Sequence, residues 1–311
     1  MSVTADDFGD ALRDLTADFR SRLADRRPLL FDGALGSELT RRGIATPLPL
    51  WSAAALRDAP EAIAAIHRDH VAAGAEVVTT ATFRTTRRAL AKAGIRDAAA
   101  CAREWTTQAV ALARAAGPRF VAGSIAPLED CYEPERVPDD AALAREHAWL
   151  ARDLAAAGVD LLLVETMNTV REAVAATRVA RATGLPVIVS FVCASDLRAN
   201  ARLLSGERVV DAARTLLAEG VDALGINCTP VATLHRPLAE LLQTVAGRVP
   251  CAAYGNVGRT DAIQGWTCTA DCPPADYAKA AARWLAQGAR IVGGCCGTTA
   301  EHVAALRALL T

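Results

Sequence analysis

"LLLVETMNTVREAVAATRVARATGLPVIVSFVC", residues 161–193, decides the fold. It opens as a near-continuous apolar run, turns at residue 170 into a helical pattern ending at Gly184, and returns to an apolar run, "PVIVSFVC". Strands that are apolar on both faces suit a parallel sheet covered by helices, and a glycine after the last helical residue is a usual stop. The stretch therefore reads as strand, helix, strand. The same alternation extends along the chain, with further strand candidates at residues 28–34, 76–83, 119–127, 223–228, 250–256 and 290–297. Helical patterns such as "EAIAAIHRDHVAAGA", "AALAREHAWLARDLAAAGV" and "PADYAKAAARWLAQGA" lie between them, and Gly74, Gly158, Gly184, Gly220 and Gly288 mark helix ends. Eight regular strand–helix units favour a closed (β/α)8 TIM barrel of class α/β over a doubly wound open sheet.

The chain has 311 residues, enough for one such barrel. Residues 28–311 read as a single barrel domain. Residues 1–27 read as an N-terminal helical extension set against the barrel floor. Hydrophobic residues make up 52% of the chain and the formal net charge is -1, which supplies a large core and excludes a polybasic surface for nucleic acid or membrane. No apolar stretch reaches the ~20 residues needed to cross a bilayer. The N-terminus is charged and lacks the apolar core of a secretory signal, so a cytoplasmic protein with small-molecule partners is expected. The sequence is silent on oligomeric state.

A barrel's active site lies at the C-terminal ends of its strands. The residues predicted there are Asp32, Thr80, Thr82, Ser124, Glu165, Cys193, Cys228, Asn256, Cys295 and Cys296. The nine cysteines are odd in number and scattered, which argues against a disulfide framework. Cys228 ends strand 6 in "GINC", and Cys295 and Cys296 end strand 8 among Gly293, Gly294 and Gly297. Three sulfurs can thus converge across one face. Three protein ligands with one open position are the pattern of a catalytic zinc, and thiolates select zinc over magnesium or calcium. The competing reading is three small buried hydrophobes. Cys101 reads as a core residue, and Cys193, at a strand end, reads as packing or as a neighbour of the site; Cys131, in the long loop, and Cys251, early in its strand, are not well placed as ligands. Cys268 and Cys272, in "WTCTADCP", read as an incidental pair in the loop after strand 7, with neither His235 nor His302 placed beside them.

Zinc with three thiolates is a poor generator of hydroxide. It suits activation of an incoming thiol, whose sulfur can then attack an electrophilic carbon without a separate general base. A thiol that is also an α-amino acid needs its ammonium neutralised, for which Asp32 and Glu165 are candidates. Its carboxylate needs donors, for which the amides of Gly33 and Ala34 and the strand-2 Thr80 are candidates.

The segments "FDGALGSEL", "HVAAGAEVVTTATF", "GSIAPLEDCY", "VETM", "GINC", "YGNVG" and "GGCCGTT", in that order, resemble the homocysteine S-methyltransferase family. The resemblance implies a zinc-bearing barrel that methylates homocysteine sulfur to give methionine, with Cys228, Cys295 and Cys296 as zinc ligands and Asp32 and Glu165 on the homocysteine ammonium. "SIAPLEDCY" and "YGNVG" depart from common family forms on the face where a methyl donor enters. No folate or cobalamin segment accompanies the barrel in this sequence, and the C-terminal arm of the betaine enzymes is lacking. A small onium donor is therefore expected, S-methylmethionine or S-adenosylmethionine foremost. Such cations favour aromatic walls, and Trp51, Phe83, Tyr132, Tyr254 and Trp266, with Asn256, are the candidate donor pocket. Two alternatives remain: a methyltransferase of the same fold acting on another thiol or a selenol, and a non-catalytic zinc or redox sensor.

Overall fold

The computed structural model describes residues 18–196, 200–261, 265–267 and 272–311. Eight parallel strands form the barrel: β1 (Leu29–Leu30), β2 (Val77–Thr79), β3 (Phe120–Ile125), β4 (Leu161–Met167), β5 (Val187–Phe191), β6 (Ala223–Pro230), β7 (Cys251–Asn256) and, after a short hairpin, β10 (Ile291–Val292). The hairpin is β8 (Arg259–Asp261) paired antiparallel with β9 (Gly265–Thr267). Each barrel strand pairs with its sequence neighbour, β10 pairs with β1 (Leu29↔Ile291), and a bridge from Phe31 to Val77 closes β1 on β2. The expected closed (β/α)8 architecture is present, and the open doubly wound sheet is excluded.

The helices follow the strands in chain order. After β1 come α1 (Gly36–Arg41), α2 (Ala54–Asp58) and α3 (Pro60–Ala72), and after β2 come α4 (Arg87–Lys92) and α5 (Ala98–Ala115). One helix follows each remaining barrel strand: α6 (Asp140–Ala157), α7 (Val170–Arg181), α8 (Val209–Ala218), α9 (His235–Val245), α10 (Pro274–Gln287) and α11 (Ala300–Leu310). Local chemistry sets their limits. Asp139 accepts from the Ala142 amide at the start of α6, and Thr169 from the Glu172 amide at the start of α7.

Two apolar layers flank the strands, beside a third cluster among α1–α5 that includes Leu39, Ile63 and Trp105. One lies between strands and helices and includes Val121, Leu162, Val189, Leu224 and Trp284. The other fills the barrel interior with Leu29, Phe31, Val77, Phe120, Leu161, Ile188 and Ile291. Phe19 and Leu23, from a helical segment at residues 18–24, belong to this interior layer. Phe19 is fully buried and sets its ring edge-on to Phe120 at 5.0 Å. Arg22 fixes the segment by a two-pronged pair with Glu76 (2.7 and 2.8 Å) and by donating to the carbonyls of Arg27 and Pro28. Residues 18–24 thus lie against the floor of the barrel.

Several strands are shorter than the apolar runs predicted. The run at 28–34 pairs regularly only at Leu29–Leu30, that at 76–83 only at Val77–Thr79, and that at 290–297 only at Ile291–Val292. Several of the missing residues line a cavity. Asp32, Thr80 and Cys295 leave the ladder to face the cavity described next, and apolar content alone does not register that departure.

Candidate active site

The C-terminal ends of the strands surround a cavity of about 540 Å3. Its lining includes Asp32, Gly33, Ala34, Thr79, Thr80, Ser124, Glu165, Tyr254 and all three expected cysteines. Trp51, Phe83 and Tyr132 also line it. Asn256 does not line it: its amide donates to the Cys228 carbonyl at 2.8 Å, behind the cavity wall. Tyr254 reaches across the barrel interior to Ser190 (2.5 Å), so it belongs to the floor of the cavity. The side chain of Trp266 and the whole of Cys268 lie outside the described residues.

The sulfurs of Cys228, Cys295 and Cys296 lie within 4.8 Å of one another, with Cys228 and Cys296 3.9 Å apart. Two local distortions produce this convergence. In β6 the register slips between Asn227 and Pro230, and Cys228 takes a left-handed φ of 49°. Such a backbone is costly for a residue with a Cβ and is found where a side chain must be re-aimed. After β10 the chain turns tightly. Gly294 N–H donates to the Asp32 carbonyl (2.9 Å), Cys295 N–H to the Gly255 carbonyl (3.0 Å), and Val257 N–H to the Cys296 carbonyl (2.7 Å). Gly297, at φ 83°, closes the turn, and a Cβ there would sit 1.6 Å from the Val257 carbonyl oxygen.

The donor set suits zinc. Zinc–sulfur bonds near 2.3 Å in a tetrahedron place the sulfurs about 3.8 Å apart, close to the Cys228–Cys296 separation. Hydrogen bonds from the Cys295 and Cys296 thiols hold the Cys228 thiol well below its ordinary range, with Tyr132 and Asn256 adding to the effect. The Cys295 and Cys296 thiols are pushed up, first by their bonds to Cys228. The trio by itself thus favours one thiolate, and a cation is required before all three ionise.

Two buried carboxylates face the same cavity. Asp32 accepts from the Thr79 amide (2.7 Å) and hydroxyl (2.9 Å), and burial pushes its pKa up to about 7. Glu165 accepts from the Ser124 hydroxyl at 2.6 Å, and burial pushes its pKa up to about 8. Glu165 is followed by Thr166 at φ 59°, inside a register slip of β4 that mirrors the one in β6. Asn227 ties the two slips together. Its side-chain oxygen accepts from the Thr166 amide (2.9 Å) and the Ser190 hydroxyl (2.8 Å), and its amide donates to the Thr166 hydroxyl (2.7 Å).

Sequence reasoning missed Asn227 and Thr79. Thr80, named instead, bonds to Thr82 (2.8 Å) and accepts from the Ser124 amide. The Ala34 amide is also engaged, donating to Thr298 at 3.1 Å. Cys131, expected only to be poorly placed as a ligand, is buried and lines the cavity outside the sulfur trio. Cys193 is buried beside β6, its amide donating to the Thr229 hydroxyl at 3.0 Å. His302, not expected near Cys272, lies 3.1 Å from its carbonyl oxygen. Its other ring nitrogen accepts from the Thr299 amide, so the contact serves the start of α11.

Fold and site together define a TIM-barrel enzyme built around a cysteine trio. Comparison gives its family: the homocysteine S-methyltransferase profile matches residues 29–310, and the chain belongs to that family. It is 32% identical to a homocysteine S-methyltransferase of Escherichia coli, over 93% of this chain and 97% of the relative. It is 29% identical to homocysteine S-methyltransferase YbgG of Bacillus subtilis (90% and 94% covered) and to a selenocysteine methyltransferase of Astragalus bisulcatus (92% and 93%). The crystal structure of the metallated homocysteine methyltransferase MmuM from Escherichia coli superposes with a TM-score of 0.78 at 30% identity, covering 93% of this chain and 99% of that one. Among the described residues no helix is long and apolar enough to cross a membrane.

Proposed function

We propose that this enzyme moves a methyl group from a small onium donor, S-methylmethionine or S-adenosylmethionine, to the sulfur of L-homocysteine, with zinc held by Cys228, Cys295 and Cys296. The observation that carries the reading is the meeting, in one cavity, of a sulfur trio and two buried carboxylates. Zinc bound there supplies positive charge that keeps an acceptor sulfur anionic near neutral pH.

The remaining work falls to the side chains. Asp32 and Glu165 receive the α-ammonium of the acceptor. Burial raises the pKa of both, to about 7 and about 8, and an arriving ammonium favours their charged forms. Thr79 and Ser124 fix the two carboxylates, so the acceptor is oriented with its sulfur toward the trio. Trp51, Phe83 and Tyr132 present ring surface to the cation of the donor. The acceptor sulfur forms the new bond to the methyl carbon. The bond from that carbon to the onium centre breaks, its electron pair stays on the donor as a neutral sulfide, and the thiol proton passes to solvent.

The test is a donor panel of S-methylmethionine, S-adenosylmethionine and glycine betaine, assayed against homocysteine with zinc-loaded protein and methionine read by mass. Methionine from a sulfonium donor supports the reading, and none from any donor removes it. The Astragalus relative favours selenocysteine as a second acceptor, and its rate relative to homocysteine with the same donor separates the two.

A further inference from the structure

Three charged groups that line the cavity, Arg84, Asp130 and Glu133, have no part in the scheme above; Asp130 accepts from the Tyr132 amide and Glu133 pairs with Arg136, which leaves Arg84. Arg84, in the turn between β2 and α4, lines the cavity and is only 9% exposed. One terminal nitrogen, Nη1, donates to the carbonyls of Glu129 (2.7 Å) and Pro127 (3.3 Å), and the guanidinium lies 5.4 Å from the centre of the Phe83 ring. Among the described residues no carboxylate pairs with it, and the bonds recorded for it use Nη1 alone. Its neighbours Arg88 and Lys92, by contrast, both pair with Glu129. A buried guanidinium without an anionic partner is costly, and its forked donors match a carboxylate.

We propose that Arg84 is the specificity residue for the methyl donor: it binds the donor's carboxylate and selects onium compounds that carry one. The assignment rests on the methyl-transfer reading above. Arg84 adjoins Phe83 in sequence and lines the same cavity as Phe83, Cys131 and Tyr132, so it stands among the aromatic side chains expected to meet the donor cation. The acceptor's ammonium is assigned to Asp32, just after β1, and Glu165, on β4. A donor anchored by its carboxylate at Arg84 places its onium centre over the Phe83 and Tyr132 side of the cavity, facing the sulfur trio.

The experiment uses zinc-loaded full-length protein, wild type and the variants Arg84→Gln and Arg84→Lys. Calorimetry without acceptor gives the affinity for S-methylmethionine and for trimethylsulfonium, which carries the onium charge but no carboxylate. Arg84→Gln is expected to weaken S-methylmethionine roughly thirtyfold, the loss for one hydrogen-bonded charge, and to move trimethylsulfonium less than about twofold. Arg84→Lys should recover part of the loss, and the KM for homocysteine should hold. Equal weakening of both probes would make Arg84 a loop tether and overturn the assignment. So would a rise in the homocysteine KM with donor affinity intact, or a wild-type protein that does not bind S-methylmethionine. Arg84-dependent binding without methionine formation would sink the methyl-transfer reading and leave Arg84 only as the cavity's carboxylate anchor.

Discussion

Asp32 and Glu165 carry the sharpest consequence at the scale of single residues. Burial raises their pKa values to about 7 and about 8, against unfolded values near 4. The folded protein therefore retains protons that the unfolded chain has lost. Stability from these groups is fully present below about pH 4 and is lost as pH rises through 7 and 8. The thermal midpoint of metal-free, ligand-free protein should fall between pH 5 and pH 9, and Glu165→Gln should flatten that fall. If Glu165 holds the ammonium as proposed, and not the metal, the same substitution should raise the KM for homocysteine at least tenfold while zinc content stays near one per chain. An unchanged KM counts against the assignment. Cys296→Ala should lose both zinc and turnover with the far-ultraviolet spectrum intact. The sequence exposed these residues because each is an odd chemical type at the end of an apolar run: a carboxylate after "LLLV", a cysteine pair among glycines. It hid Asn227 and Thr79. An asparagine or a threonine at a strand end has many ordinary uses, and only the folded register shows Asn227 bridging β4, β5 and β6.

Among elements, the turn from β10 into α11 holds two of the three sulfurs, and Gly297 is its narrow point. A Cβ at Gly297 would meet the Val257 carbonyl at 1.6 Å on a backbone already at φ 83°. The turn has to move to admit it, and Cys295 and Cys296 move with it. Gly297→Ala should drop zinc content well below one per chain. Gly117→Ala is the matched control: its φ is 75°, but nothing lies within 4 Å of the added carbon. It should cost only about 1 kcal/mol and keep zinc. The number and order of the barrel strands were readable because each buries both faces. Their true ends were not, since a residue leaves a ladder for geometric reasons that hydrophobicity does not encode. The β8–β9 hairpin lies in a stretch read as a loop, whose three-residue strands are too short to show alternation. At the opposite end, Phe19→Ala should cost about 3 kcal/mol by opening a cavity against Phe120. It should leave the homocysteine KM unchanged, because the floor is remote from the strand ends that bear the site.

For the whole molecule, the division of labour between core and site predicts the response to metal removal. The interior layer and the helix–sheet layer draw on residues from every barrel strand, and neither includes Cys228 or Cys296. Cys295 only borders the interior layer. Folding energy therefore comes from apolar burial around the ring, in contrast to small zinc domains that unfold when the metal is withdrawn. Chelation should abolish methyl transfer yet leave the helical spectrum and the cooperative unfolding transition in place. Returning zinc should restore activity at about one ion per chain and raise the melting temperature, since an ion that binds only the folded state stabilises it by mass action. The stabilisation should vanish in Cys296→Ala, which lacks a complete trio, and persist in Glu165→Gln, which keeps one. A chelated protein that loses its helical spectrum would show that the three sulfurs organise the barrel instead of being placed by it, and the order of causes from strand register to turn to sulfur trio would have to be reversed.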